Sequence, residues 1–208
     1  MTTVEFAHRL WTVRPDLQVL GLEIDPVRVA AAEPFRGPGL DFRLGGFELP
    51  VRQDPLVIRA FNVLRQYDEA AVGPVWERLI GRLAPTGLLV EGTCSENGRV
   101  AAWVALDRAG PRSLTFAAQL RTLESPLVFA ERLPKALIHR NVPGEPVHAF
   151  LVAWERSWLR TAPIGAFGAR QRWIAAAEAM AGEYPLVGGR DRWRLGELTV
   201  AWSAVAPA

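Results

Sequence analysis

The run Gln18-Val-Leu-Gly-Leu-Glu-Ile-Asp25, followed at once by Pro26, constrains the fold more than any other part of this sequence. A strand with one wet face alternates polar and apolar residues, whereas an unbroken apolar run is the pattern of a strand buried on both faces of a parallel sheet. Asp25 can cap free backbone amides and Pro26 fits the first helical position. The strand therefore hands straight to a helix through Val27, Val29, Ala30 and Ala31, which ends before Pro34 and Gly37. The same grammar then repeats. Residues 41–47 read as a short strand entering a glycine turn, and residues 56–62 as another strand. A helix from Asp68 carries Val72, Val75, Trp76, Leu79, Ile80 and Leu83, and Pro85-Thr86-Gly87 turns it into a strand over 88–93. Strand and helix in alternation predict an α/β fold with an open, doubly wound, Rossmann-like sheet in three layers.

Thr2 and Glu5 have capping-box spacing, and an apolar face from Val4 to Val13 predicts an opening helix over 2–13 that stops before Pro15. Beyond residue 93 the pattern changes. Successive strands are predicted over 99–106 and 113–120, and helices around 127–137, 147–161 and 167–181. A last strand over 194–205 sets Leu198, Val200, Trp202 and Ala204 on one face, so the C-terminal strands are expected to be antiparallel. The 208 residues suffice for one substantial core, which predicts a single domain over 1–208.

Cations number 24 and acids 22, a net charge of +2 that makes no polyanion the default partner. Arg190-Asp-Arg-Trp-Arg194, with Arg170, Arg172 and Trp173, combines cations and rings, yet an Arg-bearing turn before a strand explains it better than a nucleic-acid surface. The one cysteine, Cys94, excludes an intrachain disulfide and a cysteine-built zinc site, and three scattered histidines make no metal motif. No apolar stretch approaches the roughly 20 residues of a membrane span, and the first residues lack the layout of a secretory signal, so the cytoplasm is the expected compartment. His139, His148 and Cys94 have no catalytic partner in sequence, which disfavours a covalent intermediate.

Glu23 and Asp25 fall at the carboxyl end of a buried strand, where open α/β sheets bind ligands. A carboxylate at Glu23 can accept hydrogen bonds from both hydroxyls of a ribose, or be a solvated strand end. Asp25 is a ligand or a helix cap. Asn62, at the end of the strand over 56–62, is an active-site residue or a turn former.

Three segments, Val19-Leu-Gly-Leu-Glu-Ile-Asp-Pro26, Phe42-Arg-Leu-Gly-Gly-Phe-Glu-Leu-Pro50 and Leu79-Ile-Gly-Arg-Leu-Ala-Pro-Thr-Gly-Leu-Leu-Val-Glu-Gly92, resemble class I S-adenosylmethionine-dependent methyltransferases over about residues 2–106. The resemblance implies S-adenosylmethionine as cofactor and methyl transfer to an acceptor that the sequence does not name, with residues 107–208 on the substrate side. It gives Glu23 the ribose and Gly45, Gly46 and Phe47 the adenine slot. Asn62 would lie near the transferred methyl. The family often has Asp where Gly46 stands. It also opens with a strand and a Gly-rich loop that this sequence lacks, so an N-terminally truncated cofactor domain is expected. A noncatalytic methyltransferase-like binding protein and a nicotinamide-dependent oxidoreductase are the alternatives.

Overall fold

The computed structural model describes residues 2–208, and the chain divides into two compact units, Met1–Asp54 and Pro55–Ala208. In the first, α1 (Thr3–Trp11) starts with the expected capping box: the Glu5 amide donates to the Thr2 hydroxyl at 3.3 Å and the Thr2 amide to Glu5 Oε2 at 2.7 Å. Its face buries Ala7, and the Trp11 indole donates to the Leu17 carbonyl at 2.9 Å, fastening the turn that leads into β1 (Val19–Glu23). The crossover helix α2 (Pro26–Ala32) returns the chain to β2 (Leu40–Leu44), which lies parallel to β1 from Val19↔Leu40 to Glu23↔Leu44. All five β1 residues are half-buried, where the unbroken apolar run predicts burial on both faces. The reason is that β1 belongs to a two-stranded sheet and has β2 as its one strand neighbour among the described residues.

The second unit repeats the motif and then departs from it. β3 (Val57–Phe61) and β4 (Leu88–Cys94) are parallel and joined through α3 (Val72–Ile80), which is entered by a 3-10 turn at Glu69–Ala71. β5 (Val100–Asp107) and β6 (Gly110–Ala118) follow as an antiparallel hairpin. Three helices come next, α4 (Lys135–Ile138), α5 (Pro146–Arg160) and α6 (Ala169–Ala181). The chain closes with β7 (Leu186–Val187), α7 (Arg190–Trp193) and β8 (Glu197–Ala201). The six strands order as β3-β4-β5-β6-β8-β7, a mixed Rossmann-like α/β sheet with the antiparallel continuation that the period-two pattern predicts.

Alternation along these strands gives one face wholly to the core: Leu89, Ala102, Val104, Leu106, Leu114, Phe116, Leu198 and Val200 are fully buried. Phe116 centres an aromatic cluster there, its ring centroid 5.1 Å from Phe129, 5.7 Å from Phe150 and 5.2 Å from Trp154, with Trp173 a further 5.2 Å beyond Trp154. Such offset and edge-on pairs add to plain area burial.

Several predicted boundaries shift, two of them with a visible physical reason. The last strand ends at Ala201 instead of running to 205, because Trp202–Ala204 turns into a 3-10 helix that brings the Trp202 ring edge-on to Trp76 at 5.9 Å. The helix around 127–137 is a 3-10 stretch, Pro126–Arg132, followed by the short α4. Pro134 separates the two, since its ring removes an amide and biases Leu133 to the extended conformation observed. The two-residue β7 has no signal in the sequence.

Candidate functional site

The carboxyl ends of β1 and β2 bring together five of the predicted residues: Glu23, Asp25, Gly45, Gly46 and Phe47. Parallel register sets Glu23 beside Leu44, so the Gly45 amide donates to the Glu23 carbonyl at 3.0 Å and the glycine turn begins directly over the end of β1. Glu23 Oε1 accepts from the backbone amides of Ile24 and Asp25 at 2.8 and 3.1 Å, which fixes the carboxylate at the strand end. Its other oxygen, Oε2, stands 3.6 Å from the Arg28 guanidinium. Asp25 caps α2, its Oδ1 accepting from the Val27 amide at 2.8 Å, which is the cap alternative for that residue.

The turn is closed by Glu48, whose Oε1 accepts from the Gly46 amide at 2.8 Å. A carboxylate therefore does stand beside Gly46, reached from two residues further along the chain. Space is tight at both glycines: a Cβ on Gly45 would lie 2.7 Å from Pro50 Cγ, closer than real Cβ contacts, while one on Gly46 would lie 3.1 Å from Glu48 Oε2 and 3.3 Å from Ile24 Cγ2, side chains that would have to yield slightly. Phe47 is half-buried next to them. Glu48 was not singled out in the sequence; its signal is an acid two positions after a Gly-Gly pair, near enough for its carboxylate to reach back to a turn amide.

Asn62 lies in the second unit and has a positive φ of 60°, a conformation that Asn tolerates better than most residues. Its Oδ1 accepts from the Cys94 amide at 2.9 Å, its Nδ2 donates to Cys94 Sγ at 3.3 Å, and its own amide donates to the Gly92 carbonyl at 2.8 Å. The side chain thus ties the end of β3 to the end of β4.

The same strand holds a residue that sequence analysis did not single out. Glu91 is 1% exposed, on the core face of β4 between Leu89 and Thr93. Burial pushes its carboxyl up to about 7, and the nearby Trp76 indole holds back part of that rise. Neither Glu91 Oε2 nor Trp76 Nε1 completes a hydrogen bond among the described residues. The signal was an acid at a position where the period-two pattern calls for an apolar side chain. No group of His, Cys, Asp and Glu among the described residues could hold a metal ion, and no helix is long and apolar enough to cross a membrane.

Neither a protein-family profile nor a curated protein sequence matches the chain. Solved structures similar to parts of it include LepI in complex with SAM (16% identity, 46% of this chain and 26% of that one, TM-score 0.36). Human N-acetylserotonin methyltransferase in complex with SAM is another, at 18% identity over 45% of this chain and 28% of that one, TM-score 0.36. A third is SAM-bound CalS10, an amino pentose methyltransferase from Micromonospora echinaspora, at 19% identity over 55% and 65% of the two chains, TM-score 0.32. The chain spans about a quarter of the length of the first two. The α/β fold stated above rests on the chain's own strand pairing.

Proposed function

We propose that the protein binds S-adenosylmethionine through the carboxyl edge of β1 and β2 and transfers its methyl group to an acceptor. The observation that carries this reading is the meeting of Glu23 with the Gly45–Gly46–Phe47 turn at one end of a parallel pair, where open α/β sheets receive ligands. Glu23 suits a ribose. One of its oxygens is anchored by two backbone amides, and the carboxylate so oriented offers Oε2 to a hydroxyl donor. Phe47 supplies an apolar wall for a purine, and the glycines keep side chains out of the turn. The cofactor supplies an activated methyl group; the protein has only to orient donor and acceptor, for which no protein nucleophile is needed.

Isothermal calorimetry with S-adenosylhomocysteine and with NAD, on the protein carried in its full natural reading frame, tests the reading. S-adenosylhomocysteine is expected to bind, and Glu23→Ala to weaken it by about 1–3 kcal/mol, the scale of losing charge-assisted hydrogen bonds. Binding of NAD alone would replace methyl transfer with nicotinamide chemistry. Binding of neither would make the protein a noncatalytic relative, and equal affinity in Glu23→Ala would remove Glu23 from the site.

A further inference from the structure

The arginine-rich C-terminal stretch resolves into two groups. Arg190 pairs with Glu178 and Arg192 with Glu197, while Arg172 donates to the Trp158 carbonyl at 2.9 Å and lies 3.8 Å over the Trp158 ring. Trp173 and Trp193 are 1% and 7% exposed, so neither ring is offered to a nucleobase. What is left is Arg170 and Arg194, and a third arginine, Arg121, comes in from the 3-10 turn Leu120–Thr122 after β6. All three are exposed, and all three line one cleft of about 460 Å³, together with Gln119 and the start of α6. No acidic residue lines it. Arg121 and Arg170 have no ion pair among the described residues; Arg194 has only Asp191, at 3.6 Å, itself 97% exposed. Like charges gathered round a cleft without counter-charge repel one another, and the arrangement is relieved by an anion.

The backbone points the same way. Gly168, at φ 108°, precedes a 13-residue helix with no side-chain cap, and the amides of Ala169 and Arg170 donate to no carbonyl among the described residues. The lining residues Arg194 and Leu195 are followed by Gly196, at φ 83°. Its carbonyl accepts from the Ala118 amide at 2.9 Å, and any Cβ there would collide with the Ala118 carbonyl oxygen. That close approach keeps Arg194 and Leu195 beside Gln119. The cleft lies at the end of β6, on the sheet edge where β3 and β4 also end in Asn62 and Cys94.

We propose that this cleft binds the phosphoryl group of a small phosphate monoester. Three guanidinium groups and two free helix amides match a dianion with several acceptor oxygens, and the volume holds a small metabolite with its phosphate. With both tryptophans buried, Phe167, 77% exposed next to Gly168, is left to face a base beside the cleft, and a single ring does not stack a run of them.

Calorimetry of the full chain with glycerol 3-phosphate, at near-physiological ionic strength where diffuse attraction is screened beyond about 8 Å, tests the site. The double substitution Arg121→Gln and Arg170→Gln changes exposed side chains and should leave the circular dichroism unaltered while weakening binding at least tenfold. Arg78→Gln on α3, which removes half as much charge at an exposed position outside the cleft, should leave binding unchanged. Absence of binding by the parent, a loss under tenfold, or an equal loss in Arg78→Gln would each overturn the proposal. So would tighter binding of single-stranded oligothymidylate that displaces glycerol 3-phosphate, which would make the phosphate source a nucleic-acid backbone. None of these outcomes bears on S-adenosylhomocysteine binding, whose proposed residues belong to the first unit.

Discussion

Two strand–helix–strand segments of the same topology, β1-α2-β2 and β3-α3-β4, treat their glutamates in opposite ways. Glu23 ends β1, half-exposed, with its carboxylate satisfied by two backbone amides. Glu91 sits in the middle of β4, 1% exposed, with an oxygen that has no partner and a carboxyl pushed up to about 7. Position along the strand makes the difference. The last residue of a parallel strand meets the uncapped amides of the following turn, while a mid-strand side chain meets only whatever packs on the sheet. The first arrangement holds a half-exposed carboxylate at the sheet edge at little cost to the fold. The second keeps a proton inside the core.

The contrast predicts that substitutions in the second segment and its core act on the whole fold and those in the first act locally. The largest effect belongs to Trp154→Ala. It removes a ring that packs on Phe116, Phe129, Phe150 and Trp173 and should lower unfolding free energy by about 3–5 kcal/mol in denaturant titration. A loss under about 1 kcal/mol would mean that the cluster is not the centre of stability.

Glu91 gives a pH signature. Its folded pKa of about 7 stands above the ordinary 4.5, so between those values the folded state keeps a proton that the unfolded chain releases. Stability contributed by neutral Glu91 is complete below about pH 4.5, declines as pH rises, and levels off above about 7, a total of about 3 kcal/mol. Glu91→Gln, a neutral isostere, should match the parent near pH 5 and exceed it near pH 8. Parallel stability–pH curves for the two proteins would show that Glu91 is not buried neutral.

Asn62→Ala removes two bonds to Cys94 and leaves a residue at φ 60° that disfavours it, which should cost about 1–2 kcal/mol in global unfolding. Asp25→Ala removes one cap, worth about 1 kcal/mol. It should show as faster hydrogen exchange of α2 amides, with the main unfolding transition in place. A shift of that transition as large as for Asn62→Ala would erase the distinction between the two segments.

Local signals in the chain account for most of this architecture. The Thr2–Glu5 box, the Asp25–Pro26 junction and the Pro85-Thr86-Gly87 turn each set a boundary through backbone chemistry confined to a few residues, and each is found where the sequence places it. Tertiary packing decided the rest. Trp202 leaves the strand pattern because a ring on α3 offers a better contact, and β1 is half-buried because its environment depends on how many strands flank it. The meeting of Glu23 with the glycine turn was legible for the same reason the caps were, since β1 and β2 both end in short polar or glycine turns. The cleft at α6 was not, because Arg121 and Arg170 are far apart in sequence and only the fold brings them to one place.

Gly196 carries that last point into evolution. Every other amino acid would bring a Cβ against the Ala118 carbonyl and strain a left-handed backbone, so this position beside the cleft is closed to mutational drift. A lineage that changes what the cleft holds must do so through its three exposed arginines, which can be exchanged one codon at a time without disturbing the sheet. Specificity is free to vary while the geometry that gathers the charges stays fixed.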